Sequence, residues 1–173
     1  MRIEVSRDVF RLAQVFTISR GSRTEAQVLT VRITDGGVTG WGECVPYARY
    51  GETLESVTAE IEALRGPLTR DALYDLLPAG AARNAVDCAL WDLQAKQAGK
   101  PVWELAGLAR PGPEITAFTL SLDSPEKMRE QAALHAHRPL LKIKLGTPDD
   151  MPRLEAVRAG APDAQIIIDA NEG

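Results

Sequence analysis

The spacing of apolar and polar positions changes character twice along the chain. In its opening part the period is two: Arg2 to Leu12 alternates, and so does Ala26 to Thr34, with Val28, Thr30 and Arg32 against Leu29, Val31 and Ile33. Val38 to Cys44 makes a third such run. Alternation of this kind marks strands with one buried face, and Asp35-Gly36-Gly37 is a hairpin turn, so the opening predicts an antiparallel meander. The polar stretch Thr17 to Glu25, carrying Arg20 and Arg23, reads as the loop between the first two strands. A second irregular segment, Glu43 to Thr53, holds Pro46, Tyr47, Arg49 and Tyr50.

From Thr53 the apolar period becomes helical. Leu54, Val57, Ile61 and Leu64 share one side of a helix that Thr53 can cap, and a shorter helix is expected over Thr69 to Leu77. Ala85, Val86, Ala89, Leu90 and Leu93 predict a long amphipathic helix over about 81–98, closed by Gly99 and Pro101. Cys88 lies within that pattern and is expected as a buried free thiol. Asp87 and Asp92 do not share a helical face at i, i+4 and read as caps or salt-bridge partners. After a turn at Val102 to Ala106, the run Arg110-Pro111-Gly112-Pro113 marks a domain boundary. The expected division is 1–110 and 111–173.

Beyond the boundary, strands and helices alternate. Glu114 to Leu122 is a strand; Ser124 and Pro125 open a helix that runs to about His135; Leu140 to Gly146 is the next strand. Thr147-Pro148-Asp149-Asp150 opens another helix, ending near Gly160, and Gln165 to Ile168 is a last buried strand that finishes in Asp169. Such a βαβαβ run begins a parallel barrel or a doubly wound sheet.

The candidate chemistry sits on these strands. In LLKIKLG, Lys142 and Lys144 point to one face and Leu141, Ile143 and Leu145 to the other. If helices cover the leucine face, the lysines point inward, where a charge is costly to desolvate and neighbouring ammonium groups disfavour one another's protonation. An amphipathic strand with its lysines in water has the same alternation. Asp169 tips the choice towards chemistry, because the carboxyl ends of parallel strands, where Lys144 and Asp169 both fall, are where such folds place reactive groups. His135 and His137 diverge around a helix end and make a poor metal pair.

Composition changes the picture little. The 173 residues are 45% apolar and 25% charged with a net charge of −4, and no basic run offers a phosphate-tracking face, which argues against nucleic-acid binding. Two cysteines do not imply a disulfide framework, no apolar run reaches membrane-spanning length, and the N-terminus lacks the apolar core of a signal peptide. A cytoplasmic location is the expectation.

The meander followed by helices, LPAGAARNAVDCALWDL (Leu77 to Leu93), LLKIKLG and IIIDANEG together resemble the enolase superfamily in its muconate-lactonizing branch. Within it, the AGAARNA helix and ISRGSRTE resemble the bacterial dipeptide epimerases that act on L-Ala-D/L-Glu. The resemblance implies an α+β capping domain followed by the first part of a (β/α)₇β TIM-like barrel. It implies Lys144 as the acid/base exchanging the substrate α-proton on one face, with Lys142 as the neighbour that eases its deprotonation and touches the substrate carboxylate. Asp169 would be the first of three carboxylate ligands to Mg²⁺, Arg20 would pair with a carboxylate of the dipeptide, and Thr119 would line the pocket. The implied process is murein peptide recycling, with a dipeptide as small-molecule partner and a possible homo-oligomer. A muconate cycloisomerase, an o-succinylbenzoate synthase, an N-acylamino acid racemase, or a non-catalytic chain that only binds or oligomerises stay open.

A barrel of this kind needs roughly 250 residues by itself. The 173 residues are therefore expected to be the N-terminal portion of a longer protein, inactive alone, with the other carboxylates and the opposite-face acid/base beyond Gly173.

Overall fold

Two three-stranded sheets, one antiparallel and one parallel, carry the chain's architecture. The computed structural model describes residues 1–18, 21–66, 68–145, 148 and 150–170. They divide into two compact units, one formed by residues 1–10 and 26–111, the other by 11–25 and 112–173.

β1 (Arg2–Ile18), β2 (Gly21–Asp35) and β3 (Val38–Cys44) form a sheet in that order, the described parts of β1 and β2 within 11–25 counting to the second unit and the rest to the first. β2 and β3 pair antiparallel with Asp35 opposite Val38, across the turn made by Gly36 and Gly37, both at positive φ. The helices of the first unit are α1 (Leu54–Glu62), α2 (Arg70–Leu76), α3 (Ala81–Ala98) and α4 (Val102–Leu105). Thr53 and Ser56 close a reciprocal capping box on α1, Thr69 caps α2, and Gly99 ends α3 in the left-handed conformation.

Leu29, Val31 and Ile33 of β2 pack with Ala85, Val86, Ala89, Leu90 and Leu93 of α3 in one core. Glycines let α3 approach so closely: a Cβ at Gly42 would run into the Ala85 carbonyl oxygen, and one at Gly40 into that of Ala89. Cys88 corrects the expectation of burial: it is exposed, and the buried thiol is Cys44. At about 100° per residue, Cys88 leaves the Ala85-Ala89 stripe and joins Asn84 on the outer side. Burial, with the nearby Glu52 and Glu43 charges, pushes the Cys44 thiol up to about 11.

The second unit holds β4 (Phe118–Leu120), α5 (Pro125–Leu134), β5 (Leu140–Lys144), α6 (Asp150–Gly160) and β6 (Gln165–Asp169), its strands parallel in the order β4-β5-β6. Leu120, Leu141, Ile143 and Leu145 form its core with Met128, Ala132 and Val157 of the helices. Ser124 caps α5, with Pro125 in its first turn. The Thr147-Pro148-Asp149-Asp150 cap lies partly outside the described residues.

Two boundaries differ from the sequence reading. β4 begins at Phe118 rather than Glu114, because Phe118 is the first residue with a partner, Leu141, and Glu114 to Thr116 are exposed. β1 and β2 run on into the polar stretch expected as a loop, so that residues 11–25 belong to an extended two-stranded arm. A ribbon standing in water makes backbone hydrogen bonds without an alternating apolar face, so its side chains do not announce it.

Candidate functional site

β5 presents two chemically different faces. Leu141 and Ile143 are fully buried against the helices, whereas Lys142 and Lys144 lie on the opposite face and keep 32% and 14% of their side-chain surface exposed. The parallel register sets Lys144 beside Asp169 and Lys142 beside Ile167 on one side and Thr119 on the other. Paired residues in a sheet share a face, so Thr119, Lys142, Lys144 and Asp169 line the same side near the carboxyl ends of their strands.

Both ammonium groups converge on one carboxylate oxygen. Lys142 Nζ and Lys144 Nζ each lie 2.7 Å from Asp169 Oδ2, and Lys144 donates a hydrogen bond to it. Lys142 reaches the shared oxygen along its own strand, from a position two residues below Lys144. The Leu145 N–H donates to the Asp169 carbonyl at 3.0 Å, carrying the ladder one step past β5 and fixing the backbone beneath the charges. Charge-assisted contacts of this length are the stronger kind of hydrogen bond, and they hold three flexible side chains together at the strand ends. The arrangement sets two amines, groups able to carry a proton or to meet an anion, beside one anionic oxygen donor.

Thr119 stands half-buried beside Lys142. Arg20 lies outside the described residues. Oxygen donors suit a hard divalent cation, and Asp169 supplies one such carboxylate; no cluster of three or more His, Cys, Asp or Glu that could hold a metal occurs among the described residues. The cleft in the first unit lined by Ile3, Val5, Ile61, Leu64 and Leu68, about 580 Å³, includes none of these residues.

Two residues that the sequence reading did not single out shape the polar connections. In the second unit, Ser121 Oγ accepts a hydrogen bond from the Thr17 N–H at 2.7 Å. In the first, Glu52 accepts from the Tyr47 N–H at 2.9 Å and the Ala81 N–H at 2.7 Å, joining the irregular segment to the start of α3. Neither residue type is distinctive, and both pairings depend on the fold. Asp92, read as a salt-bridge partner, accepts from Lys96 at 2.6 Å and from the Trp41 N–H at 2.8 Å. No helix among the described residues is long and apolar enough to cross a membrane.

Comparison with known proteins places these features in context. Residues 2–107 match the family described as mandelate racemase / muconate lactonizing enzyme, N-terminal domain. The L-Ala-D/L-Glu epimerase of Escherichia coli K12 is 43% identical over 176 residues, covering 98% of this chain and 55% of the relative. An enolase family member from Agrobacterium tumefaciens, described as having homology to dipeptide epimerases and solved with sodium and L-Ala-L-Glu, superposes with a TM-score of 0.94 at 55% identity. It covers 99% of this chain, which matches 54% of it. The dipeptide epimerase of Enterococcus faecalis, solved with Mg and L-Leu-L-Tyr, gives 0.85 at 30% identity, covering 98% of this chain and 52% of its own. The chain spans about half the length of the relatives it matches.

Proposed function

Since the chain belongs to the mandelate racemase / muconate lactonizing enzyme family of the enolase superfamily, we propose that the complete protein is a dipeptide epimerase acting on L-Ala-D/L-Glu and related dipeptides. The first unit contains the α+β capping fold of that family, and β4 to β6 are the opening strands of its barrel. The observation that carries the reading is the convergence of Lys142 and Lys144 on Asp169 at the carboxyl ends of adjacent parallel strands.

The difficulty of the reaction lies in the α-proton, which is barely acidic beside a carboxylate. Lys144, the more enclosed of the two lysines, takes this proton on one face of the substrate and can return it. Lys142 stands beside it and contributes positive charge towards the substrate carboxylate, where negative charge grows as the proton leaves. Thr119 borders this space from β4, and Arg20 pairs with a carboxylate of the dipeptide. Asp169 would be one oxygen ligand to Mg²⁺, the metal present in the Enterococcus faecalis complex, and a cation held there would supply Lewis-acid stabilisation of the negative charge left as the α-proton departs.

A role in recycling murein peptides follows from this substrate, since L-Ala-Glu is a fragment of the murein stem peptide. The test is to incubate the complete protein with L-Ala-L-Glu and Mg²⁺ in D₂O and follow the glutamyl α-proton by NMR. Deuterium incorporation together with appearance of L-Ala-D-Glu is the expected result. Exchange on N-acetylglutamate with none on the dipeptide would instead assign N-acylamino acid racemisation.

A further inference from the structure

The two-stranded arm formed by residues 11–25 groups with the parallel-sheet unit although it is an extension of the antiparallel meander. Most of its first strand is open to solvent: positions 11 to 15 are all exposed, with Val15 at 53%. Burial begins only at Phe16, Thr17 and Ile18. That is where β4 ends. The Thr17 N–H donates to Ser121 Oγ at 2.7 Å, the Leu122 N–H donates to the Thr17 carbonyl at 3.0 Å, and Ser121 Oγ donates to the Val15 carbonyl at 3.4 Å. A fourth bond, between Thr17 Oγ1 and Ser22 Oγ at 2.8 Å, ties the two strands of the arm together at the same level.

These contacts make a short latch that fixes both strands of the arm at one point. Ser121 lies one residue past β4 and two past Thr119, so it falls on the face that also carries Lys142 and Lys144. With little packing elsewhere along positions 11 to 15, the arm's placement depends on this polar contact more than a packed strand's would. Ser121 can serve in this way because one hydroxyl both accepts from Thr17 and donates to Val15.

We propose that Ser121 is a positioning residue of the epimerase: its hydroxyl anchors the arm at Thr17 beside the mouth of the parallel sheet and thereby sets how the substrate is held there, with no part in proton transfer. The inference rests on the functional reading above, and it deepens that reading by assigning substrate positioning to a residue outside the lysine and carboxylate set. The step it controls is binding. Loss of the hydroxyl should therefore raise KM and leave kcat nearly unchanged, because the lysines and Asp169 keep their places on β5 and β6.

The test uses the complete protein, wild type and with Ser121→Ala and Ser121→Thr. In the wild type the Thr17 and Leu122 amides are expected to be protected from hydrogen exchange, with Ser121→Ala accelerating both while β5 amides stay as they were. KM for L-Ala-L-Glu should rise about three- to tenfold in Ser121→Ala, the range expected for one lost neutral hydrogen bond, and recover in Ser121→Thr. Freely exchanging Thr17 and Leu122 amides in the wild type would overturn the latch without any variant. An unchanged KM with accelerated exchange would overturn the positioning role. Absence of turnover in the wild type would count against the functional reading, and with it the substrate role, while the exchange data would still judge the latch on its own.

Discussion

Lys144 stands directly across the parallel ladder from Asp169, and its Nζ lies 2.7 Å from Asp169 Oδ2. Lys142 brings a second ammonium to the same oxygen. One carboxylate therefore balances two cations on a single sheet face. Replacing Asp169 by Asn removes the negative charge that the two ammonium groups share and, on the proposed function, the anionic oxygen offered to Mg²⁺. In the complete protein, Asp169→Asn should lower Mg²⁺-dependent exchange on the order of a thousandfold, the rate equivalent of several kcal/mol. Steady-state assays across a magnesium titration measure this, and removal of the metal with a chelator should abolish wild-type exchange.

Gly42 is where β3 meets α3 most closely. A Cβ there would strike the Ala85 carbonyl oxygen, which is part of a helix backbone and cannot rotate aside. Gly42→Ala should destabilise the protein by about 3 kcal/mol, towards the upper end for overpacking, visible as a lower urea midpoint.

The carboxylate of Glu52 serves two backbone donors, Tyr47 N–H through Oε2 and Ala81 N–H through Oε1. It substitutes for the missing side-chain cap of α3, whose N-cap residue is Gly80. Glu52→Ala should cost about 1–2 kcal/mol, as loss of a helix cap does, and Glu52→Gln less, because its amide keeps an accepting oxygen. Chemical denaturation of the two variants side by side decides this.

His135 packs its ring 4.0 Å from that of Phe118, and its Nδ1 is buried with no hydrogen-bond partner among the described residues. Burial, then the Arg138 and His137 charges, hold its pKa below the usual histidine value of 6.5. The unfolded chain therefore takes up the proton first as pH falls. Stability that is complete above pH 6.5 is lost on acidification towards the lowered folded value. Wild type should lose more stability than His135→Asn between about pH 7.5 and 5.5 in paired urea titrations.

Much of this was legible in the chain because local rules and tertiary structure agreed. The alternation in LLKIKLG placed both lysines opposite a leucine face, and the end of IIID placed Asp169, since strand period and strand end are properties of a few neighbouring residues. Thr53, Ser124 and Gly99 act as the caps their types suggest. The arm was hidden because a ribbon in water has no apolar stripe, and β4 was overextended because only pairing with β5 decides where it starts. Cys88 shows how sharply a helical face is set: one residue away from the buried Ala89 is enough to expose it. The bond between Thr17 and Ser121 spans 104 positions and joins ordinary polar residues, so nothing local marks it.

On the proposed function, Lys144 handles the α-proton on one face of the substrate. The direct measurement is deuterium incorporation from D₂O into L-Ala-L-Glu and, separately, L-Ala-D-Glu, by the complete protein with Lys144→Ala. Exchange should be lost for one epimer and persist for the other, because the group serving the opposite face is untouched. Exchange of both epimers at the wild-type rate would contradict it.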